Sequence, residues 1–373
     1  MNQFNTLYHL IFVVKIKNIM KLAILGNGLT SLSLAKSLVN KGIFVDIFSN
    51  QKKIDINKNR TIGLSKKNID FFNREILNIK KFSWDIKKIE IYSENLQSEK
   101  ILNFENKSRV LFSMIKNFDL QTELFSKLIK NKLCNFKKIL SYKNSNLNKY
   151  NLVINCDSRN QITKKFFSKK LKKDYDSFAH TTIIKHKKIK NNVASQIFTQ
   201  KGPLAFLPLS ETETSIVYSA RGEKNIDLKK IVTKYNSKYE IVLFEKLASF
   251  KLKSVNLRSY FHGNILAFGD LLHRIHPLAG QGFNMNIRDI NILCELINFR
   301  KDNGLELDRS ICNDFEKKTK HKNYLFSSGI DFIYEFFNLE SKINNNILSK
   351  SVRIIGKNKF LIKSFEEIAN NGL

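Results

Sequence analysis

Residues 263–284 read GNILAFGDLLHRIHPLAGQGFN, and this stretch carries the strongest structural signal in the chain. A strand-like apolar run ends in Gly269 and Asp270, and a helix-like apolar pattern follows Asn284. Pro277 lies between them and suits the first turn of a helix, where its missing N–H is not needed. The pattern predicts a strand, a tight turn with bare glycine backbone, and a helix.

Glycine and proline are scarce elsewhere: the 373-residue chain contains 14 Gly and 3 Pro. In such a chain, each is expected to hold a backbone position that other residues do not tolerate. All three prolines lie in two short segments, 202–208 and 276–282. These two segments are therefore candidates for function.

A second glycine-rich turn, GNGLTS, lies near the start of the chain at residues 26–31. A strand-like run, Lys21–Leu25, precedes it, and a helix-like pattern and a second strand-like run, Ile43–Phe48, follow. This order is the dinucleotide-binding fingerprint, in which backbone N–H groups and a helix N-terminus bind a pyrophosphate. Its three glycine positions are taken by Gly26, Gly28 and Ser31.

One position departs from that fingerprint. The second strand usually ends in Asp or Glu, which binds the adenosine ribose, and Ser49 occupies that place here. A hydroxyl can also bind ribose, but a neutral hydrogen bond is weaker than one to a carboxylate. We therefore expect a weaker ribose contact on an unchanged fold.

The two motifs together resemble those of the flavoprotein aromatic monooxygenases with the para-hydroxybenzoate hydroxylase fold, whose second FAD signature is Gly-Asp followed by His-Pro-x-x-Gly-Gln-Gly-x-Asn. Two more segments, GPLAFLPL at 202–209 and RTIGLS at 60–65, resemble the ubiquinone-biosynthesis FAD-dependent hydroxylases within that fold. The likeness runs from about Met20 to the C-terminus. It implies an α/β chain with a Rossmann-like FAD-binding domain, an inserted β-sheet substrate domain and a helical C-terminus.

The resemblance also implies which residues bind FAD. Asp270 matches the family's ribityl and pyrophosphate contact, although a helix N-cap is the alternative role. Asp157 belongs to a degenerate segment in which Ser158 replaces the family's Gly, so the electron donor is either NAD(P)H or another reductant. The expected cofactor-binding residues are Gly26, Gly28, Ser31, Ser49, Arg60, Asp157, Asp270, Pro277, Gly280, Gln281, Gly282 and Asn284.

The sequence identifies no catalytic base. His273 and His276 are weak candidates for acid–base roles, and the alternative is that they shape the turn and pack near the flavin. Neither has a carboxylate at metal-ligand spacing, and the four cysteines lie far apart, so no metal site is predicted.

The FAD motifs lie at opposite ends of the chain, so the cofactor domain must be discontinuous. Residues 1–19 are interpreted as an extension or an upstream mis-start before Met20. The division predicted for the rest is an FAD-binding domain at 20–165 with a substrate-domain excursion at about 81–100, a substrate domain at 166–254, the second part of the FAD-binding domain at 255–320, and C-terminal helices at 321–373.

Apolar residues near the end of the chain recur at helical spacing, at Phe326, Ile330, Ile333 and Phe337. Core packing is the favoured interpretation. A surface that faces a membrane or a lipid tail is the alternative.

The resemblance implies an FAD-dependent monooxygenase that hydroxylates the aromatic ring of a polyprenylated phenol in ubiquinone biosynthesis through a flavin C4a-hydroperoxide. Its co-substrates would be O2 and NAD(P)H or another electron donor. One alternative is another flavoprotein oxidoreductase of the same fold, such as a small-phenol hydroxylase or an epoxidase. The other is a non-enzymatic, membrane-associated scaffold that retains the fold.

The chain is strongly basic, with 64 Lys and Arg against 33 Asp and Glu and a net charge of +31. The basic residues are spread along the chain without a stripe of interleaved aromatics, so nucleic-acid binding is not expected. A basic surface is attracted to anionic lipids. Together with the resemblance, this predicts a cytoplasmic protein bound peripherally to the inner face of the membrane, in a ubiquinone-biosynthesis protein complex.

Overall fold

The computed structural model describes residues 20–49, 58–94, 99–105, 110–138, 147–277 and 280–343. The strands are β1 (Lys21–Leu25), β2 (Phe44–Ser49), β3 (Thr61–Ser65), β4 (Ser83–Ile86), β5 (Lys88–Ser93), β6 (Glu99–Glu105), β7 (Phe112–Lys116), β8 (Cys134–Lys138), β9 (Leu152–Asn155), β10 (Lys170–His186), β11 (Val193–Thr199), β12 (Gly202–Pro208), β13 (Glu213–Arg221), β14 (Ile241–Phe244), β15 (Ala248–Leu257), β16 (Phe261–His262), β17 (Ile265–Ala267) and β18 (His273–Arg274). The α-helices are α1 (Leu29–Asn40), α2 (Lys66–Phe71), α3 (Asn117–Ile129), α4 (Gln161–Phe166), α5 (Leu228–Tyr235), α6 (Gln281–Asp302) and α7 (Arg309–Ile343). The extension at 1–19 and the chain beyond 343 lie outside the described residues.

The first sheet has the strand order β16-β17-β9-β1-β2-β8. β1 pairs in parallel with β2 and β9, and β17 pairs in parallel with β9. β1 is buried because helices α1 and α6 contribute to the same apolar core, which explains its apolar run. The carboxyl ends of β1, β9 and β17 therefore lie at one edge of this sheet.

One charged side chain interrupts the apolar first sheet. Asp46 in β2 is buried, and its carboxylate accepts hydrogen bonds from the Tyr150 hydroxyl at 2.5 Å, Lys137 at 2.7 Å and Asn135 at 3.1 Å. The Lys21 ammonium lies 3.2 Å from the same carboxylate. Burial alone would raise the pKa of Asp46, but these hydrogen bonds outweigh it and lower the pKa to about 2.

The low pKa of Asp46 predicts an acid-sensitive contribution to stability. At pH 7 we expect Asp46→Asn to lower the free energy of unfolding by about 2 kcal/mol, because the pKa is about 2 in the folded chain and about 3.9 in the unfolded chain. The carboxylate stabilises fully above about pH 4, and this stabilisation is lost as the pH falls from about 4 to about 2. Denaturant unfolding of both proteins across this range measures the effect.

The control is Asp70→Asn, which removes an exposed carboxylate paired with Lys66. An exposed pair of this kind contributes little, so this variant should match the wild type. A difference between wild type and Asp46→Asn that persists unchanged at low pH would contradict the assignment.

The second sheet has the order β18-β15-β10-β13-β12-β11-β5-β6, and β14 pairs with β10. Helix α5 covers one face through Leu228 and Val232, which pack with Leu204 and Phe206. The opposite face meets the small β3-β7-β4 sheet. There the hydroxyls of Thr61 and of a β13 residue, Ser215, lie 2.8 Å apart.

The C-terminal helix α7 is 35 residues long and buries one side. Phe326 and Ile330 pack with Met285 and Phe198, which confirms the core interpretation for these two residues. Phe332 lies on the other side and is 69% exposed. The side chain of Phe337 lies outside the described residues. The sheets and this helix confirm the predicted α/β class, with an inserted β-sheet and a helical C-terminus.

Candidate cofactor and active site

The first glycine turn leaves open space at the start of α1. Gly26 has φ +107°, and its N–H donates to the Phe48 carbonyl at 2.8 Å. A Cβ on Gly26 would lie 3.5 Å from both Asp157 and Ser31, which is ordinary van der Waals contact, so the positive φ is what favours glycine there. Gly28 is the N-cap of α1, and a Cβ there would meet no atom within 4 Å. The open helix N-terminus has the room and the N–H donors that a pyrophosphate needs.

Two backbone hydrogen bonds bring the predicted site residues together at the edge of the first sheet. The Cys156 N–H donates to the Leu25 carbonyl at 2.9 Å, and the Phe268 N–H donates to the Asn155 carbonyl at 2.9 Å. The residues that follow these strands are thereby placed side by side. They are Gly26, Gly28, Asp157 and Asp270. The carboxyl ends of parallel strands are the usual ligand-binding edge of such sheets.

The second signature packs directly on the first. Gly269 has φ +65°, and a Cβ there would lie 3.1 Å from the Thr30 side chain in the first turn of α1. The Asn286 amide in α6 donates to the Thr30 hydroxyl at 3.0 Å and to the exposed Asp270 carboxylate at 3.3 Å. This contact is with a side chain, so it is not a helix N-cap. The carboxylate of Asp270 is exposed and can accept hydrogen bonds from a ligand.

The buried acceptors of this region fit an FAD molecule. Within the described residues, Asn286 Oδ1, Gln281 Oε1 and Asn117 Oδ1 are buried without a hydrogen-bond partner. Unpaired buried acceptors are costly, so they indicate a donor-bearing ligand. The ribityl hydroxyls and ring N–H of FAD are such donors, and its pyrophosphate suits the open N-terminus of α1.

Helix α3 contributes a contact through Gln121, which is not among the predicted cofactor-binding residues. The Gln121 amide is buried and donates to the Asn27 carbonyl in the first glycine turn at 3.0 Å. The sequence signals for this helix are the apolar stripe of Leu120, Leu124 and Leu128 and the likeness of residues 117–128 to the family helix that contacts FAD, with packing as the alternative. Gln121 fixes the turn rather than the cofactor itself.

Asn284 connects β3 to the first turn of α6. Its amide oxygen accepts from the Ser65 N–H at 2.9 Å and the Asn68 amide at 2.8 Å, and its amide nitrogen donates to the Gly63 carbonyl at 2.8 Å. Gly280 has φ +65°, and a Cβ there would lie 3.5 Å from the Gly63 nitrogen. Asn284 therefore shapes the wall of the site, and its amide is already engaged by protein atoms.

The other predicted cofactor residues occupy different places. The Gly280 N–H donates to the Pro277 carbonyl at 3.2 Å, and Gln281 and Gly282 begin α6. Ser49 ends β2. Arg60 is the outlier, because it is exposed and its guanidinium lies 5.7 Å from the Phe250 ring of the second sheet.

The two histidines are buried; His273 has a hydrogen-bond partner, whereas both ring nitrogens of His276 have none among the described residues. His273 Nε2 lies 2.6 Å from an Asp289 carboxylate oxygen, and both side chains are buried. His276 is buried between Tyr334, which stacks at 4.2 Å, and Tyr175, which is edge-on at 5.0 Å. Burial lowers the pKa of His276 to about 3, so the ring is neutral at physiological pH. This geometry favours a packing role over general acid catalysis for both residues.

Comparison with known proteins finds an FAD-binding family model and several hydroxylases. Residues 223–302, which contain the second signature, match the family model "FAD binding domain". The chain is 29% identical over 152 residues to 3-demethoxyubiquinol 3-hydroxylase of Escherichia coli (strain K12), a match that covers 38% of this chain and 39% of that protein. It is 27% identical over 191 residues to the mitochondrial ubiquinone biosynthesis monooxygenase COQ6 of Homo sapiens, covering 39% of this chain and 41% of that protein. The chain thus matches about two fifths of the length of these relatives.

Two solved structures share the fold over nearly the whole chain. The p-nitrophenol 4-monooxygenase PnpA from Pseudomonas putida DLL-E4 superposes with a TM-score of 0.77 at 11% identity, covering 95% of this chain and 98% of that one. Klebsiella pneumoniae HpxO, complexed with FAD and uric acid, superposes with a TM-score of 0.73 at 12% identity, covering 95% and 97%. The chain therefore shares the fold of these monooxygenases, and over about two fifths of its length its sequence is similar to hydroxylases of ubiquinone biosynthesis.

Proposed function

We propose that this chain is an FAD-dependent monooxygenase that hydroxylates the aromatic ring of a polyprenylated phenol in ubiquinone biosynthesis. One observation carries the proposal. Gly28, Asp270 and the turn at Gly280 lie in the same region as buried acceptors that have no hydrogen-bond partner among the described residues. The names of the relatives support the ubiquinone pathway.

The residues of the chain have separable roles in this proposal. The N-terminus of α1 at Gly28 binds the pyrophosphate, and Asp270 accepts hydrogen bonds from ribityl hydroxyls. The N-terminus of α6 at Gly280 would stabilise negative charge on a flavin bound next to it, because it is the positive end of the helix dipole. FAD, when bound, supplies the redox chemistry that activates O2 and delivers one oxygen atom to the ring.

The proposal places the prenylated ring against an apolar cluster between the second sheet and the small sheet. Ala194 and Leu207 of the second sheet pack with Trp84 and Phe112 of the small sheet. Such a wall excludes water from the reacting ring and orients it by shape. We infer that ring hydroxylation takes place between these two sheets.

The electron donor is NAD(P)H or another reductant. Asp157 accepts a hydrogen bond from the Arg159 N–H at 2.9 Å, and Ser158 and Arg159 are exposed beside it. An exposed arginine next to the cofactor edge can bind an anionic donor. Reduction of the bound flavin by NADH, NADPH and a ferredoxin, each followed as bleaching of its visible absorption, compares the donors directly.

Peripheral attachment to the inner face of the membrane, in a complex with other ubiquinone-biosynthesis proteins, completes the proposal. None of the helices described by the structure is long and apolar enough to span a bilayer. The relative from Homo sapiens is named as a mitochondrial protein. The basic surface supports electrostatic attraction to anionic lipids.

The first test is the visible spectrum of the purified protein, with the released cofactor identified after denaturation. We expect stoichiometric FAD and, with a donor and isotopically labelled O2, one labelled oxygen atom in a polyprenylphenol product. Turnover of short phenols alone would favour a small-phenol hydroxylase. Protein that stays colourless after FAD is added would overturn the proposal in favour of a non-enzymatic scaffold.

A further inference from the structure

An exposed apolar patch lies where β14 turns into β15, far in sequence from the FAD signatures. Its members, here called the β14–β15 corner, are Val242, Leu243, Leu247 and Phe250, with 71%, 51%, 41% and 39% of their surfaces exposed. Four large apolar side chains are thus exposed within nine residues of the chain. Patches of this kind mark interaction sites.

A strand edge and a groove lie next to the corner. Among the described residues, β14 pairs with β10 on one side only. A groove of about 580 Å³ runs between β14 and helix α5, and it is lined by Lys229, Tyr239, Ile241 and Phe244. An apolar edge beside a groove needs a partner that covers it.

The charges around the corner identify the partner by complementarity. Arg60, Lys229 and Lys246 border it, and none forms an ion pair within the described part of the chain. The neighbouring acidic residues are already paired, Glu240 with Lys187 at 2.5 Å and Glu245 with Lys185 at 3.9 Å. Apolar side chains bordered by uncompensated cations match the surface of an anionic lipid bilayer.

The corner is attached to the wall of the proposed FAD site. The Asn59 amide donates to the Lys246 carbonyl, and the Arg60 guanidinium lies over the Phe250 ring. β3 begins at the next residue and reaches Gly63, which lies against Gly280. Three strand residues span roughly 10 Å, so the corner is close to the flavin-side turn.

We propose that the β14–β15 corner docks the protein onto an anionic bilayer, with its apolar side chains in the headgroup region and the adjoining cations on lipid phosphates. The benefit of this docking for catalysis rests on the proposed function. If the substrate is a phenol with a lipid tail, it would enter from the bilayer beside β3. The corner differs from the C-terminal helix considered from the sequence, on which Phe332 is 69% exposed.

The test is co-sedimentation of the FAD-loaded full chain with vesicles of phosphatidylcholine alone or mixed with phosphatidylglycerol. We expect binding to the mixed vesicles. The double variant Val242→Asp and Leu247→Asp should lower it at least about tenfold, because it replaces apolar contact by repulsion. Lys246→Gln should lower vesicle binding about fivefold, because it removes the attraction between one cation and the anionic surface. The matched control, Ile129→Asp on α3, removes an equally exposed apolar residue (58%) and should bind normally.

Three results would overturn the docking proposal. The first is wild-type protein that does not bind the mixed vesicles. The second is loss of vesicle binding in Phe332→Asp while the double variant still binds. A double variant that changes the oligomeric state in size-exclusion chromatography would instead identify the corner as an interface between copies. FAD absorbance and hydroxylation of a detergent-dispersed phenol should be normal in the variants. Vesicle binding without hydroxylation would overturn the proposed function and leave the docking surface intact.

Discussion

Replacing Gly28 with Asp is expected to lower the affinity for FAD at least about 100-fold, or about 2.7 kcal/mol, while the apoprotein stays folded. The backbone of Gly28 has φ −71° and ψ 174°, which any residue adopts, and a Cβ there meets no atom within 4 Å. Asp is a preferred N-cap, so α1 should be as stable as in the wild type or more so. The carboxylate would, however, occupy the open helix N-terminus and repel the pyrophosphate.

The measurement is FAD titration of the apoprotein, followed by flavin fluorescence, beside thermal unfolding without cofactor. Gly28→Ala is the matched control, because it adds the Cβ without the charge and should weaken binding much less. If Gly28→Asp binds FAD as tightly as the wild type, the pyrophosphate site is not at α1. A lower unfolding temperature of the apoprotein would mean that Gly28 is structural.

Replacing Gly202 with Ala is expected to destabilise the protein by about 3 to 5 kcal/mol, enough to reduce the soluble yield sharply. Gly202 begins β12 with φ +140°, a conformation that L side chains rarely adopt. A Cβ there would lie 2.0 Å from the Ser219 carbonyl oxygen. This oxygen is a backbone atom of β13, which is paired to both β12 and β10, so it cannot move without breaking sheet contacts.

Gly222→Ala separates the two causes of this destabilisation, which are backbone strain at positive φ and the clash of the added Cβ. Gly222 also has positive φ, +66°, but a Cβ there would meet no atom within 4 Å. Its substitution should cost only about 1 to 2 kcal/mol of backbone strain. Denaturant unfolding compares the variants, and equal stability of Gly202→Ala and Gly222→Ala would contradict the predicted clash.

The amino-acid sequence determined the local parts of this protein. The first strand was predicted at Lys21–Leu25 and lies there, and both glycine turns lead into helices as expected. Such features follow from the sequence because apolar periodicity and the backbone limits of Gly and Pro act over a few neighbouring residues. The family resemblance, which rests on those motifs, led to the fold class and the cofactor.

Only the tertiary structure decided how those parts are used. Asn284 binds a strand 219 residues earlier in the chain, and Gln121 supports a turn 94 residues away. Phe326 and Phe332 lie on one helix, yet the first is buried and the second is exposed. Partners and exposure of this kind depend on which surfaces meet after the chain has folded, and composition and spacing carry no record of those distant contacts.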